Sequence, residues 1–177
     1  RIVNGERQLE IAVPSVPLSL DTDPSGRTVA AFRTFPQGQL ALASWIADTA
    51  LPTQVLPGQD DVNLMLRGTL ILADRFYAVV YDNADLENRI MEFSWPELSL
   101  RREVALPSLE PAAGWTYEME PPIFLLGGSQ GPRVIGGTLS ASLTSQGLTT
   151  DRLDGCSKVL EVEEAADSVA VLCETPD

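Results

Sequence analysis

A chain of 177 residues with 44% hydrophobic and 21% charged side chains has ordinary globular composition, enough for one domain or two small lobes sharing an interface. Its formal net charge of −13 opposes contact with nucleic acid or anionic lipid, both of which need basic patches; it reads first as a generally acidic solvated surface, with protein partners of basic surface as the alternative. With no His in the chain, a Ser-His-Asp triad, a Cys-His pair and nearly every catalytic zinc site are excluded, and no cofactor is implied.

No apolar run approaches the roughly 20 residues of a membrane-spanning helix, so no membrane insertion is expected. Thirteen Pro and thirteen Gly separate short apolar runs, which points to many strands and many turns. Because the sequence starts directly at Arg1, a signal peptide is expected to have been removed or never present. The only two Cys are Cys156 and Cys173. Bonded, they would restrict the unfolded chain by about 3 kcal/mol on a loop-entropy model; two buried free thiols are the alternative. A bond would suit an extracytoplasmic or secreted protein.

Asp21-Thr22-Asp23-Pro24-Ser25-Gly26 carries turn chemistry, with Asp side chains for local backbone bonds, Pro to preset φ and Gly to permit positive φ. Its two Asp also suit calcium, but the further carboxylates of a shell of about six to eight oxygens are lacking, so no metal site is expected. Thr28 to Phe35 is a strand, and Pro36-Gln37-Gly38 turns the chain into an apolar alternating run from Gly38 to Leu51. Asp61 to Leu72 alternates, with Val62, Leu64 and Leu66 on one face; Phe76 to Tyr81 is a further β-branched and aromatic strand. Gly127-Gly128-Ser129-Gln130-Gly131-Pro132 is followed by strand and lacks the Lys of a phosphate loop, so it reads as a turn. From Glu161 to Cys173, Val162, Ala165, Ala166, Val169 and Leu172 fall near helical spacing, which favours a short C-terminal helix. Two strands turning at Glu163-Glu164-Ala165 are the alternative, and would set Cys156 opposite Cys173.

Several of these stretches, in order, resemble trypsin-like serine proteases. Arg1-Ile2-Val3-Asn4-Gly5 is similar to the family's activation junction. Gly38, Leu40, Trp45, Ile46 and Ala50 match the anchors of its G-x-L-x-x-x-x-W-V-x-x-A-A-H-C segment. Leu86-Glu87-Asn88-Arg89-Ile90-Met91 resembles L-x-N-D-I-M, and the run from Gly127 to Pro132 resembles the nucleophile motif G-D-S-G-G-P. The resemblance implies an all-β fold: a two-lobed antiparallel β-barrel, residues 1–107 forming the first lobe and 108–177 a shortened second one. It places Leu51 where the family has its general-base His, Arg89 where the orienting Asp stands, and Gly128 at the acceptor for the new N-terminus. Only Ser129, at the nucleophile position, is kept.

Leu51 cannot accept a proton, and Arg89 has the wrong charge to orient a base. As a surface cation, Arg89 would pair with Glu87 or Asp85. Lys158, the one Lys, falls in the terminal region, away from Ser129. The expectation is therefore a non-catalytic scaffold that binds a protein through its loops. The candidate contacts are Asp21, Asp23, Asp60, Asp61, Asp82, Asp85 and Glu87, an acidic surface for a basic partner. A weak hydrolase using Ser129 with another base is a lesser alternative. A second alternative is a β-propeller-type interaction module: Asp23-Pro24-Ser25-Gly26-Arg27 resembles a blade turn, and Ser44-Trp45…Leu56-Pro57 and Ser94-Trp95…Leu106-Pro107 recur at an equal interval. That recurrence stops before the last third of the sequence.

Overall fold

A computed structural model describes residues 2–3, 6–7, 15, 17–35, 37–46, 49–56, 64–107, 122–165 and 168–175. Among them the chain is all-β, as expected, and every strand pairing is antiparallel. Strands β1 (Ile2–Val3) and β2 (Glu6–Arg7) form a small ribbon. A first meander follows, of β3 (Pro17–Thr22), β4 (Thr28–Arg33) and β5 (Leu40–Ile46). Its fourth position is shared by two short strands, β6 (Thr49–Ala50) against Trp45-Ile46 and β7 (Gln54–Val55) against Ala41-Leu42. The second meander runs β8 (Leu64–Leu72), β9 (Arg75–Asp82), β10 (Glu87–Ser94), β11 (Leu100–Ala105). The third runs β12 (Ile123–Gly128), β13 (Gly131–Gly136), β14 (Leu139–Thr144), β15 (Gly147–Arg152). A terminal hairpin, β16 (Lys158–Ala165) and β17 (Ser168–Glu174), ends the described chain.

The meanders stack face to face. Their opening strands are neighbours, β8 lying between β3 and β12. Residues 28–32 of β4 are buried on both faces, which is why Thr-Val-Ala-Ala-Phe shows no polar alternation. Val29 and Ala31, with Leu40, Leu42 and Leu56, pack on Phe76, Ala78, Val80, Met91, Phe93 and Trp95 of the second meander. The Phe76 ring lies 5.9 Å from that of Phe93 and 6.3 Å from that of Trp95, at tilted angles. The opposite face of the second meander, through Tyr77, Val79, Ile90 and Leu106, packs on Val134, Ala141 and Leu143 of the third. Each large side chain buried this way contributes about 1.5–3 kcal/mol. This second core joins residues on either side of position 107, the expected lobe boundary.

In β8 the alternation changes phase. Leu64 and Leu66 face the first meander, but after a bulge between Leu66 and Gly68 it is Ile71 that does so, while Leu70 and Leu72 turn to the third. One extra residue exchanges the two faces, and so both ends of this long strand bury apolar groups.

Two expectations need correction. No closed barrel is found among the described residues: the sheets stay open and bury their faces against one another. No helix spans Glu161 to Cys173, which instead forms the β16–β17 hairpin, with Ala165 opposite Ser168. Alternation in β17 decides this: Val169, Val171 and Cys173 are half-buried, whereas Ser168, Ala170, Leu172 and Glu174 are exposed, and β-branched Val favours the pleat. The hairpin also sets Val159 against Cys173, and a Cys156–Cys173 disulfide with Cα atoms 5.5 Å apart closes its base.

Candidate functional site

The β3–β4 turn holds the most fully engaged carboxylate among the described residues. Asp23 is 7% exposed, and its Oδ1 accepts from the Ser25 amide at 2.8 Å, the Ser25 hydroxyl at 2.7 Å and the Arg27 amide at 3.0 Å. Oδ2 accepts from Arg27 Nε at 2.5 Å and from the indole Nε1 of Trp95 at 2.9 Å. Asp-Pro-Ser-Gly-Arg builds this locally: the carboxylate folds back on its own turn, and Gly26 takes a φ of 82° that a side chain would strain. Burial alone would raise the Asp23 carboxyl, but the bonds from Trp95, Ser25 and Arg27 outweigh it and hold the group well below the ordinary carboxylate range. The Arg27 guanidinium also sits 5.7 Å from the Trp95 ring centroid. The first and second meanders are thus clamped at this end, and Ser44, whose hydroxyl donates to Pro96 O at 2.7 Å, adds a second tie. The sequence singled out Asp23 as a contact for a partner; its carboxylate is occupied by the chain itself.

Leu51, Arg89 and Ser129 belong to three different meanders. Leu51 follows β6, where its amide donates to Ser44 O at 2.8 Å. Ser129 is an exposed residue of the two-residue β12–β13 turn, with Gly128 paired to Gly131. The Gly-rich run is explained by backbone geometry. Gly131 has a φ of 139°, and a Cβ there would stand 2.2 Å from Leu143 O on the neighbouring strand. At Gly128, a Cβ would stand 2.9 Å from Gly131 O. Lys158 forms an ion pair with Glu174 at 3.9 Å.

Arg89, on β10, is the counter-ion of four carboxylates. Its guanidinium reaches Glu103 at 2.8 Å, Asp82 at 3.5 Å and Glu87 at 3.7 Å, with Asp85 in direct contact as well. The bond it donates to Glu103, against a smaller opposing effect of burial, raises the Arg89 pKa, with Asp82 and Asp85 adding to it. Three of the acidic positions singled out from sequence, Asp82, Asp85 and Glu87, are therefore brought together. Asp21 is elsewhere, accepting a bond from the Thr69 hydroxyl between β3 and β8. Asp60 and Asp61 lie outside the described residues.

This acidic group sits at the end of the stack where the second and third strands of each meander turn. Arg33, at the close of β4, donates to Leu64 O at the start of β8 and keeps the first two meanders level there. The same end presents two large apolar side chains that sequence reasoning missed. Phe35, in the β4–β5 turn, is 90% exposed, and Leu86, in the β9–β10 turn, is 61% exposed. Leu86 also holds a left-handed φ of 55°, which costs a non-Gly residue about 1–2 kcal/mol. Their signal was available: each is a lone large apolar residue inside a turn of Pro, Gly, Asn or Asp.

The fold and site define an all-β protein of successive antiparallel meanders with one clamped end and one end of exposed turns. The chain matches no family model, no curated protein and no solved structure. Among the described residues, no helix is long and apolar enough to cross a membrane, and no group of three or more His, Cys, Asp or Glu could hold a metal ion. The Cys156–Cys173 bond is of a kind that persists in oxidising compartments.

Proposed function

We propose that this chain is a non-catalytic interaction module of β-propeller type, acting outside the cytoplasm, that binds a protein through the end bearing Phe35 and Leu86. The observation that carries the reading is a structural repeat three sheets long. After the fourth position of each meander a Leu amide donates back to the start of the third strand: Leu56 to Leu40 O at 2.9 Å, Leu106 to Asn88 O at 2.8 Å and Leu153 to Thr138 O at 2.8 Å. Ser44-Trp45 and Ser94-Trp95 mark the close of the third strand in the first two. Stacked repeats of this kind supply a rigid body, and their turns supply contacts.

Phe35 and Leu86 lie on turns of adjacent meanders, and beside the Leu86 turn Asp82, Asp85, Glu87 and Glu103 surround the Arg89 guanidinium. That arrangement suits a partner with an apolar pocket and a basic rim. A degenerate trypsin-like scaffold would share the inactivity, with Leu51, Arg89 and Gly128 as its three losses.

A displayed peptide library tests the binding surface. The chain should enrich basic peptides with large apolar residues, and Phe35→Ser with Leu86→Asn should abolish that enrichment while leaving the fold intact by circular dichroism. Equal enrichment by the double variant would overturn the assignment of the surface. Hydrolysis of ester or peptide substrates that disappears in Ser129→Ala would overturn the non-catalytic reading.

A further inference from the structure

The outer edges of the sheets are not alike. In the first meander the outer strand is broken into β6 and β7, of two residues each. In the second, β11 carries Arg101, Arg102 and Glu103; in the third, β15 ends in Asp151 and Arg152. Short strands and charges are the usual means of keeping an edge from pairing with another chain. By contrast, β17 runs Val169-Ala170-Val171-Leu172-Cys173 with no charge and no Pro, and Leu172 is 58% exposed. Among the described residues this strand is also the edge of a sheet of two strands, where the three meanders each offer four positions.

We infer that β17 is an interface to a second copy of this chain, the two β17 strands pairing antiparallel about a two-fold axis. The product is a four-stranded sheet in the order β16, β17, β17 of the second copy, β16 of the second copy, which matches the four positions of each meander. A symmetric contact needs a self-complementary surface, and this one is self-complementary in charge. Each chain carries −13 overall, so most surfaces of two copies repel. The only charged residue of β17 is Glu174, at its end. Antiparallel pairing sends the two Glu174 carboxylates to opposite ends of the new sheet, whereas parallel pairing would set them side by side. The other strand of the hairpin, β16, is unsuited to the role. It carries Lys158, Glu161, Glu163 and Glu164, and packs on the third meander through β13.

Sedimentation of the full chain across the micromolar range tests this. The expected result is a mass twice that of the chain, strengthened by added salt because the two copies repel at long range. Ala170→Lys, at an exposed position, should return the mass to that of one chain, while Thr150→Lys on the charged β15 edge should leave the dimer intact. Should Ala170→Lys not fold by circular dichroism, hydrogen exchange in the unaltered chain reads the same edge: protection of Val169 to Cys173 should rise with protein concentration. A single-chain mass throughout the range, a dimer that survives in folded Ala170→Lys, open-ended growth of the mass, or protection independent of concentration would each overturn the inference.

Discussion

Asp23→Asn is the sharpest test of how the first two meanders are held together. The amide replaces a carboxylate of the same shape, so packing is preserved and only the bonding changes. Oδ1 can keep its bonds from the Ser25 and Arg27 amides. At the Oδ2 position an NH2 group would face two donors, Arg27 Nε and Trp95 Nε1. Arg27 is 32% exposed in its side chain, so water takes over part of its lost bond, at a cost of about 1.5 kcal/mol. The Trp95 N–H is buried and has nowhere to turn, which costs about 2 kcal/mol more. The sum, about 3–4 kcal/mol, corresponds to a fall in Tm of about 10 °C for a domain of this size. Urea titration followed by tryptophan fluorescence, with Asp21→Asn as control, measures it; the control loses one bond to Thr69 and should change stability by less than about 1 kcal/mol. The pH dependence gives a second handle. The folded Asp23 pKa lies below its unfolded value, so the contribution is complete above the unfolded pKa of about 4 and is lost as pH falls towards the folded one. The gap between the parent chain and Asp23→Asn should therefore be widest at neutral pH and narrow below about pH 4. A variant within about 0.5 kcal/mol of the parent, or a gap unchanged in acid, would refute the reasoning.

Four further variants separate backbone, covalent and ionic contributions. Gly131→Ala places a Cβ 2.2 Å from Leu143 O at a φ of 139° and should cost about 3 kcal/mol or more in urea unfolding. Gly26→Ala, with a φ of 82° but nothing within 4 Å, should cost only about 1–2 kcal/mol. Cys156→Ser with Cys173→Ser removes a link of sequence separation 17 and should lower stability by about 3 kcal/mol, as should reduction of the parent chain. Arg89→Gln leaves Asp82, Asp85, Glu87 and Glu103 without their counter-ion; the expected loss of about 1 kcal/mol at low salt should shrink as salt is added.

The local chemistry of this sequence was readable and its long-range pairing was not. Thr28 to Phe32 and Phe76 to Val80 announce strands because β-branched and aromatic residues crowd them. The Asp-Pro-Ser-Gly-Arg turn was equally plain, but nothing near it in sequence names Trp95, a donor 72 residues away. The bulge in β8 hid which of its Leu residues face which neighbour, since alternation read through a one-residue slip gives the wrong face. At the C-terminal end, Val162, Ala165, Ala166, Val169 and Leu172 fall near helical spacing, yet Leu172 is exposed in the hairpin. Cross-strand packing and the disulfide, both invisible locally, decided for the hairpin. The repeat was visible in two sheets through Ser-Trp and Leu-Pro. In the third the Trp is gone and only the Leu153 amide bond keeps the pattern. As for Gly127 to Pro132, a tight hairpin needs Gly where backbones approach, so a Gly-rich motif around Ser129 arises from that constraint whatever its ancestry.

Stacking also implies that stability is unevenly distributed. In a linear array each unit is held by its neighbours, so a unit covered on two faces opens less readily than one covered on one. The second meander is in the first position: Phe76, Ala78 and Val80 are buried on one side, Tyr77 and Val79 on the other. The terminal hairpin is in the second, with Val159 buried but Leu160 and Leu172 about half exposed, and the disulfide as its covalent support. Hydrogen exchange of the reduced chain, dilute enough to be monomeric, should therefore show amides of β16 and β17 exchanging first. Those of β9 and β10 should exchange only with global unfolding. The reverse order, or uniform protection along the chain, would mean that the sheets do not behave as separable stacked units. The inference from shared faces to shared stability would then fail.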